Sequence, residues 1–266
     1  MSDNKKNNDK NTMNGDRVAK VMARAGLCSR REAERWIEAG RVSVNGKKLD
    51  TPAVTITNND TLVVDGQEIV TEKPETRVWR FHKKSGYITT HSDEKGRDTI
   101  FSQLPPHMPR VISVGRLDMN SEGLLLLTND GELSRYLELP STGWKRNYRV
   151  RAFGTFDESM KAKIEKGVTI DGVNYGEVDI EFERQQGSNV WLTMGLREGK
   201  NREIRKILEH FGLQVNRLIR VSYGPFQLGN LPAGAVEEMR GKVLKEQLVD
   251  YFKTKNPSTK KSNKSK

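Results

Sequence analysis

The chain of 266 residues is poor in the features that mark several large protein classes. Its single cysteine, Cys28, excludes an intramolecular disulfide and cysteine-based zinc sites. Its longest purely apolar run is Leu124–Leu127, whereas a membrane-spanning helix needs about 20 apolar residues. The N-terminal stretch has no apolar segment of the kind that signal peptides carry. We therefore expect a cytoplasmic protein without a membrane partner.

Motifs for common cofactors and catalytic groups are missing as well. The sequence contains no Walker A motif, no G-x-G-x-x-G fingerprint and no G-x-S-x-G nucleophile motif. Its histidines show no spacing typical of metal ligands: they are His82, His91, His107 and His210. The sequence thus predicts no cofactor and no metal. A carboxylate that acts directly, as nucleophile or base, remains as a source of chemistry.

What the chain has in excess is positive charge. Lysine and arginine number 46 against 35 acidic residues, which gives a net charge of +11. Six of these charges lie in the last fourteen residues, which contain no acid, and nine basic residues face four acids between residues 17 and 50. Such a surplus indicates a polyanionic partner, of which nucleic acid is the most common.

The distribution of apolar residues predicts two folded parts. Residues 1–14 and 253–266 have almost nothing to bury, so we expect them to be disordered, the second as a basic tail. Residues 15–70 predict a small unit, 71–77 a linker, and 78–252 a larger domain. In the larger part, strand-like and helix-like segments are joined by hairpin-like turns. This pattern predicts an α+β fold with a mixed, mainly antiparallel sheet and flanking helices.

The small unit carries strong local signals. Val18, Val21 and Met22 follow helical spacing, and the sequence Ser29-x-x-Glu32 is a capping box that predicts the start of a second helix. The pair Asn45-Gly46 lies between two short alternating segments, which is the strongest short hairpin signal. The sequence therefore predicts two helices followed by a small sheet.

The stretch KVMARAGLCSRREAERWIEAGRVSVNG resembles the alpha-L RNA-binding fold of a small-subunit ribosomal protein and of several RNA-modifying enzymes. The resemblance implies that structured RNA is bound through its shape and phosphates. A solvated helix face that only keeps the protein soluble is the alternative interpretation of the charge. The side chains expected to contact RNA are Arg17, Lys20, Arg24, Arg30, Arg31, Arg41 and Lys47.

In the larger part, VISVGRLDMNSEGLLLLTNDGEL places Asp118 between two segments that look like buried strands. We expect Asp118 at the end of the first strand. Spacing alone leaves two roles open, a catalytic carboxylate or an aspartate that caps a turn or pairs with Arg116. Arg205 lies near the buried face of the helix predicted for NREIRKILEHFG and is a candidate partner for Asp118. Tyr148 shares a strand face with Val150, where a tyrosine usually belongs to the core.

Three motifs together resemble the pseudouridine synthases: VGRLDMNSEGLLLLTNDGEL, KRNYRV and LREGKNREIRKI. The resemblance covers residues 17–240 and is to the ribosomal branch that carries an N-terminal alpha-L domain. The segment Asn216–Gly224 is similar to members that act on large-subunit (23S) rRNA. Two departures stand out, because Lys83–Gly86 lacks the proline of the family's K-P-x-G and Glu203 replaces a glutamine.

The resemblance also implies roles for individual residues. Asp118 is matched to the essential carboxylate and Tyr148 to the aromatic that stacks on the target base. Arg205 is matched to the basic residue that pairs with the carboxylate, which favours the ionised form of an acid. Arg116 is matched to a residue near the RNA backbone or the space that the flipped base leaves.

The implied activity is isomerisation of a uridine in rRNA to pseudouridine, with base flipping and without a cofactor. The expected partner is 23S rRNA, free or in a pre-ribosomal particle, and the protein is expected to be a monomer. One alternative is the same chemistry on small-subunit rRNA or tRNA. Another is a non-catalytic rRNA-binding factor for ribosome assembly. The intact set of Asp118, Tyr148 and Arg205 favours the enzyme.

Overall fold

A computed structural model describes residues 15–255. The predicted disorder of residues 1–14 and of residues 256–266 lies outside this range. Backbone contacts divide the chain into two compact units, one that ends at Glu75 and one that begins at Thr76. This division falls within the predicted linker, residues 71–77.

The smaller unit contains two helices and two small sheets. Helix α1 is Val18–Arg24 and helix α2 is Arg30–Glu38. The strands are β1 Asp16–Arg17, β2 Val42–Val44, β3 Lys47–Lys48, β4 Thr55–Ile56, β5 Leu62–Val64 and β6 Gln67–Ile69. Strands β3, β2, β5 and β6 form an antiparallel sheet in that order, and β1 pairs with β4. The predicted order of two helices followed by a small sheet is confirmed.

Local interactions explain these elements. The Ser29 hydroxyl accepts a hydrogen bond from the Glu32 amide at 3.1 Å, so the capping box starts α2 as predicted. Asn45 and Gly46 both adopt positive φ, +52° and +79°, which is the turn conformation that joins β2 and β3. The apolar face of α1, which includes Val18 and Met22, is buried against α2 and the sheet.

The larger unit is built on one nine-stranded sheet. Its strands follow the order β13-β14-β10-β15-β9-β7-β17, with β16 beside β15 and β8 beside β9. Only the pair of β9 and β15 is parallel among these strands, so the predicted mixed, mainly antiparallel sheet is confirmed. The strands of the unit are β7 Val78–Lys83, β8 Ile112–Ser113, β9 Glu122–Thr128, β10 Arg146–Phe153, β11 Val168–Ile170, β12 Val173–Tyr175, β13 Asp179–Gln186, β14 Asn189–Leu196, β15 Gln214–Tyr223, β16 Phe226–Gln227 and β17 Val236–Glu238.

Helices cover this sheet and continue to the end of the described chain. They are α3 Gly131–Glu138, α4 Glu158–Glu165, α5 Glu203–His210, α6 Gly241–Gln247 and α7 Val249–Lys255, with short 3₁₀ turns at Ile100–Gln103 and Pro140–Thr142. The prediction of a disordered tail from residue 253 is wrong for its first residues, because residues 253–255 belong to α7. The Lys255 ammonium lies 2.8 Å from the Asp130 carboxylate, which holds this last turn against the unit.

Strand β9 occupies the centre of the sheet. Leu124 and Leu126 enter one apolar cluster, and Leu125 and Leu127 enter another. The leucine run is therefore buried on both faces, which is why it does not alternate with polar residues. At its start, Gly123 has φ +101°, and a Cβ there would lie 2.3 Å from the Arg220 carbonyl oxygen of β15. Glycine is required for the two backbones to approach this closely.

Candidate active site and RNA-binding surface

A cleft of about 960 Å³ opens in the larger unit. It lies within the size range of ligand sites in proteins, about 300–1,000 Å³. Asp118, Arg116 and Tyr148 all line it, so the structure brings these three predicted residues together. The cationic residues of the lining are Arg97, Arg116, Arg146, Arg197, Lys200, Arg202 and Arg220, and the acidic residues are Asp93, Asp118, Glu138, Glu198 and Glu203. The lining suits an anionic ligand.

Asp118 lies in the irregular loop between β8 and β9. The prediction that it stands at the end of a strand is wrong, because β8 ends at Ser113, five residues earlier. The Ser121 amide donates to the Asp118 carbonyl at 3.0 Å, which closes a turn directly after the carboxylate. The Asp118 side chain is 37% exposed and is open to the cleft.

The side chain of Lys83, on β7, holds this loop in place. Its side chain is fully buried, and the ammonium donates to the carbonyls of Ser121 at 2.8 Å and Met119 at 3.2 Å. Burial lowers the Lys83 pKa from 10.5 to about 8, although the charges of Asp118 and Glu122 act in the opposite direction. The segment departs from K-P-x-G at Lys84 but retains Lys83, whose role was not predicted and which fixes the backbone on either side of Asn120.

The structure corrects the predicted partner of Asp118. Among the residues between 15 and 255, the cation within 4.0 Å of its carboxylate is Arg202, through Nη1. Arg205 instead donates to the carbonyls of Val215 and Asn120, both at 3.0 Å. These bonds use Nη1 and Nη2, whereas the buried Nε has no hydrogen-bond partner among the described residues. Arg205 thus steadies the loop that carries Asp118 without pairing with the carboxylate.

Two charged residues of the cleft affect the pKa of Arg205. Its pKa is lowered by burial and by the neighbouring charge of Arg202, whereas the charge of Asp118 acts to raise it. The charge of Asp118 therefore acts on Arg205 although the two side chains are too far apart to form an ion pair. Arg202 adopts φ +52° as the residue before α5, and this turn carries its side chain into the cleft.

Tyr148 is half-buried on β10. Its ring packs against two apolar clusters of the unit and also lines the cleft. The sequence left two roles open for Tyr148, a core residue or a residue of the site. The ring takes part in both. Arg116 is exposed at the cleft.

The floor of the cleft contains two buried arginines that sequence reasoning missed. Arg146 is 9% exposed and donates to the Tyr223 hydroxyl at 2.8 Å and to the Arg197 carbonyl at 2.8 Å. Arg220 is 3% exposed and donates through Nε to the Leu124 carbonyl at 2.7 Å. The available signal was the position of each arginine inside an otherwise strand-like segment.

Glu203, the other departure from the family pattern, begins helix α5. Its carboxylate accepts a hydrogen bond from the Lys200 amide at 2.9 Å, a bond that a glutamine oxygen also accepts. Burial raises its pKa above the usual range. The replacement therefore preserves the local hydrogen bond at the entrance of the helix.

The seven basic residues predicted to contact RNA in the smaller unit fall into two groups. Lys20 and Arg24 pair with Asp16, and Arg41 pairs with Asp65. The other four are exposed and have no carboxylate partner among the described residues: Arg17, Arg30, Arg31 and Lys47. The second group is the better candidate for phosphate contacts, because no ion pair has to be broken first.

No group of three or more histidine, cysteine, aspartate or glutamate side chains in residues 15–255 is arranged to hold a metal ion. Among the helices of the same range, none combines the length and hydrophobicity that a membrane span requires.

Both the fold and the sequence are similar to those of known proteins. The fold is similar to that in a crystal structure of a pseudouridylate synthase, with a TM-score of 0.61 over 87% of this chain and 99% of that one, at 22% identity. The family described as RNA pseudouridylate synthase matches residues 77–210, and the S4 domain matches residues 16–62. The chain therefore belongs to the RNA pseudouridine synthase family of isomerases, with an S4 (alpha-L) domain in its smaller unit.

Individual relatives extend over most of the chain. An uncharacterized RNA pseudouridine synthase of Rickettsia prowazekii (strain Madrid E) is 47% identical over 237 residues, which is 89% of this chain and 99% of that protein. The ribosomal large subunit pseudouridine synthase B of Haemophilus influenzae is 44% identical over 231 residues, which is 85% of this chain and 65% of that protein. The type B enzyme of Salmonella typhi is also 44% identical, over 84% of this chain and 79% of its own length.

Proposed function

We propose that the chain isomerises one uridine of large-subunit (23S) rRNA to pseudouridine, with Asp118 as the catalytic carboxylate. The observation that carries the proposal is the presence of Asp118 and Tyr148 in one cationic cleft. The relatives named ribosomal large subunit pseudouridine synthase B support the choice of rRNA. Action on rRNA and the lone Cys28 both favour the cytoplasm.

The reaction breaks the C1′–N1 bond of uridine, rotates the base and forms a C1′–C5 bond. The proton of C5 is released and N1 gains a proton, so atoms and electrons balance without an oxidant or a cofactor. An ionised Asp118 begins the reaction either by attack on the sugar or by removal of a sugar proton. Lys83 and Arg205 hold the loop in which it lies, which keeps the carboxylate in one position.

The target base has to leave its stack before Asp118 can reach the sugar. Flipping costs a few kcal/mol, and stacking on an aromatic ring returns about 1–3 kcal/mol per base. Tyr148 supplies that ring, because one part of it is anchored in the core and the rest is open to the cleft. Arg116 is placed to contact the RNA backbone or to fill the space that the base vacates.

The smaller unit holds structured RNA through phosphates in this proposal. The exposed Arg30 and Arg31 lie at the start of α2, where free amides and the helix dipole already favour an anion. Such contacts read shape and charge more than base sequence. The unit therefore supplies affinity, whereas the cleft selects the uridine.

Release of tritium from RNA that contains [5-³H]uridine tests the proposal, since C5 loses its hydrogen only when the isomer forms. The full chain is incubated with 23S rRNA, 16S rRNA, tRNA and precursor particles of the large subunit. We expect release from 23S rRNA or its particles by the wild type and none by Asp118→Asn. Asp171→Asn, in the exposed turn between β11 and β12, is the matched control and retains activity.

Each contrary outcome removes a separate part of the proposal. Release only from 16S rRNA or tRNA refutes the assignment to the large subunit. Full activity of Asp118→Asn refutes the role of that carboxylate. Tight binding of rRNA without release from any substrate identifies the chain as a non-catalytic assembly factor.

A further inference from the structure

Arg220 is a buried cation whose charge the fold does not neutralise. It lines the cleft from β15 with only 3% of its surface exposed. Its Nε donates to the Leu124 carbonyl, but its buried Nη2 has no hydrogen-bond partner among residues 15–255. No described carboxylate lies within 4.0 Å of the guanidinium. A buried charge without a counter-charge is costly, so its retention on the floor of a ligand cleft indicates that a ligand uses it.

The sheet places Arg220 beside the proposed base platform. Arg220 of β15 lies directly opposite Tyr148 of β10 in the antiparallel ladder. Side chains at opposite positions share a face of the sheet, with Cβ atoms about 4.5–5.5 Å apart. On the other side, the partner of Arg220 in β9 is Gly123, which has no side chain to separate the guanidinium from the cleft.

Depth decides which part of a nucleotide meets Arg220. Arg116, Arg197 and Arg202 line the same cleft, but they are largely exposed, so they lie at its rim. A flipped nucleotide keeps its phosphates with the RNA strand at the rim, and its base reaches furthest into the protein. The cation on the floor therefore meets the edge of the base, which in uracil carries two carbonyl oxygens.

We propose that Arg220 hydrogen-bonds a carbonyl oxygen of the flipped uracil and stabilises the negative charge that the base acquires when the glycosidic bond breaks. The proposal rests on the function proposed above. When C1′–N1 breaks, its electron pair stays on the base, and the charge spreads over N1 and the carbonyl oxygens. When C5 then bonds to C1′, N1 takes up a proton and the C5 proton is released. Both routes open to Asp118 produce this anion.

Single-turnover tritium release with enzyme in excess measures this contribution. Arg220→Gln removes the charge and Arg220→Lys retains it. We expect Arg220→Gln to slow the reaction about 10²- to 10³-fold with unchanged RNA affinity, as loss of a donor to a developing anion does in other enzymes. Arg220→Lys restores part of the rate. The control is Arg149→Gln on β10, an arginine that pairs with Glu183 outside the cleft.

A second substrate separates a chemical role from a structural one. In RNA with 5-fluorouridine at the target, fluorine itself stabilises the departing base, and chromatography of nucleosides follows its consumption. Loss of Arg220 should then slow the reaction by a smaller factor than with uridine. An equal factor on both substrates, or unchanged single-turnover rates, overturns the proposal. If Arg220→Gln does not fold, the same comparison with Arg220→Lys decides.

The outcome for the wild type keeps the two proposals apart. A wild-type chain that releases no tritium from any RNA refutes the proposed function itself. A fully active wild type together with a fully active Arg220→Gln refutes only the role of Arg220.

Discussion

Replacement of Asp130 by asparagine tests how the end of the described chain is held. Asp130 caps α3 by accepting from the amides of Glu132 and Leu133. Its other oxygen accepts from Thr76 at 2.7 Å, Lys255 at 2.8 Å and Tyr251 at 2.9 Å. Asparagine is an equally good N-cap, so the substitution keeps the cap and removes the charge.

The pKa of Asp130 gives the size of the effect. Burial acts to raise it, but the hydrogen bonds from Lys255, Thr76 and Tyr251, together with the charge of Lys255, lower it from 3.8 to about 2. This difference corresponds to about 2.5 kcal/mol of stability for the ionised form. For a unit of this size we expect a fall in the midpoint of thermal unfolding of about 5–10 °C at neutral pH.

The pH dependence has a defined sign. A lowered carboxylate pKa stabilises the fold fully above pH 3.8, and the contribution is lost as the pH falls through about 2. Scanning calorimetry of the full chain should therefore show a difference in the unfolding midpoint between wild type and Asp130→Asn that becomes smaller in acid. Asp171→Asn serves as the exposed control. A gap near zero at neutral pH, or one that stays constant in acid, would refute this reasoning.

Two further predictions follow from the described contacts. Lys83→Met should slow single-turnover tritium release without loss of RNA affinity. In urea unfolding, the wild type but not Lys83→Met should gain stability as the pH rises from about 8 to 10.5. In that range the folded wild-type chain binds fewer protons at Lys83 than the unfolded chain does. The double variant Arg30→Ala/Arg31→Ala should make the slope of log affinity against log salt shallower by about 1.4–1.8, whereas Arg41→Ala, whose arginine already pairs with Asp65, should change it little. A stability profile shared by wild type and Lys83→Met, or an unchanged salt slope, would contradict them.

Local signals in the sequence predicted the elements that local interactions create. The capping box at Ser29 and the hairpin at Asn45-Gly46 each depend on residues within a few positions, so the sequence contains the whole cause. The leucine run predicted a buried strand for the same reason. In contrast, β13 was not predicted, because Asp179–Gln186 contains only two alternating apolar residues, Ile180 and Phe182, and only Ile180 is buried.

Only part of the site could be predicted from the sequence. The resemblance of the motifs to one family predicted that Asp118, Tyr148 and Arg116 belong to one site, and all three line the cleft. The contact of Asp118 with Arg202 depends instead on a backbone turn at φ +52°, and the support from Lys83 joins residues far apart in the chain. Such details are set by tertiary packing, which no short motif encodes.

The leucine run of β9 has a consequence for how the sheet finds its alignment during folding. Four identical side chains, buried on both faces, are interchangeable, so a strand that slides by a residue or two exchanges leucine for leucine and loses little burial. Alignment therefore has to be set at the ends of the strand. The backbone of Arg220 leaves no room for a side chain on β9, so only Gly123 can lie opposite it, and the buried Thr128 hydroxyl donates to the Arg77 carbonyl at 2.8 Å. These two residues fix the register of the strand, and the position of Gly123 sets where the Asp118 loop ends.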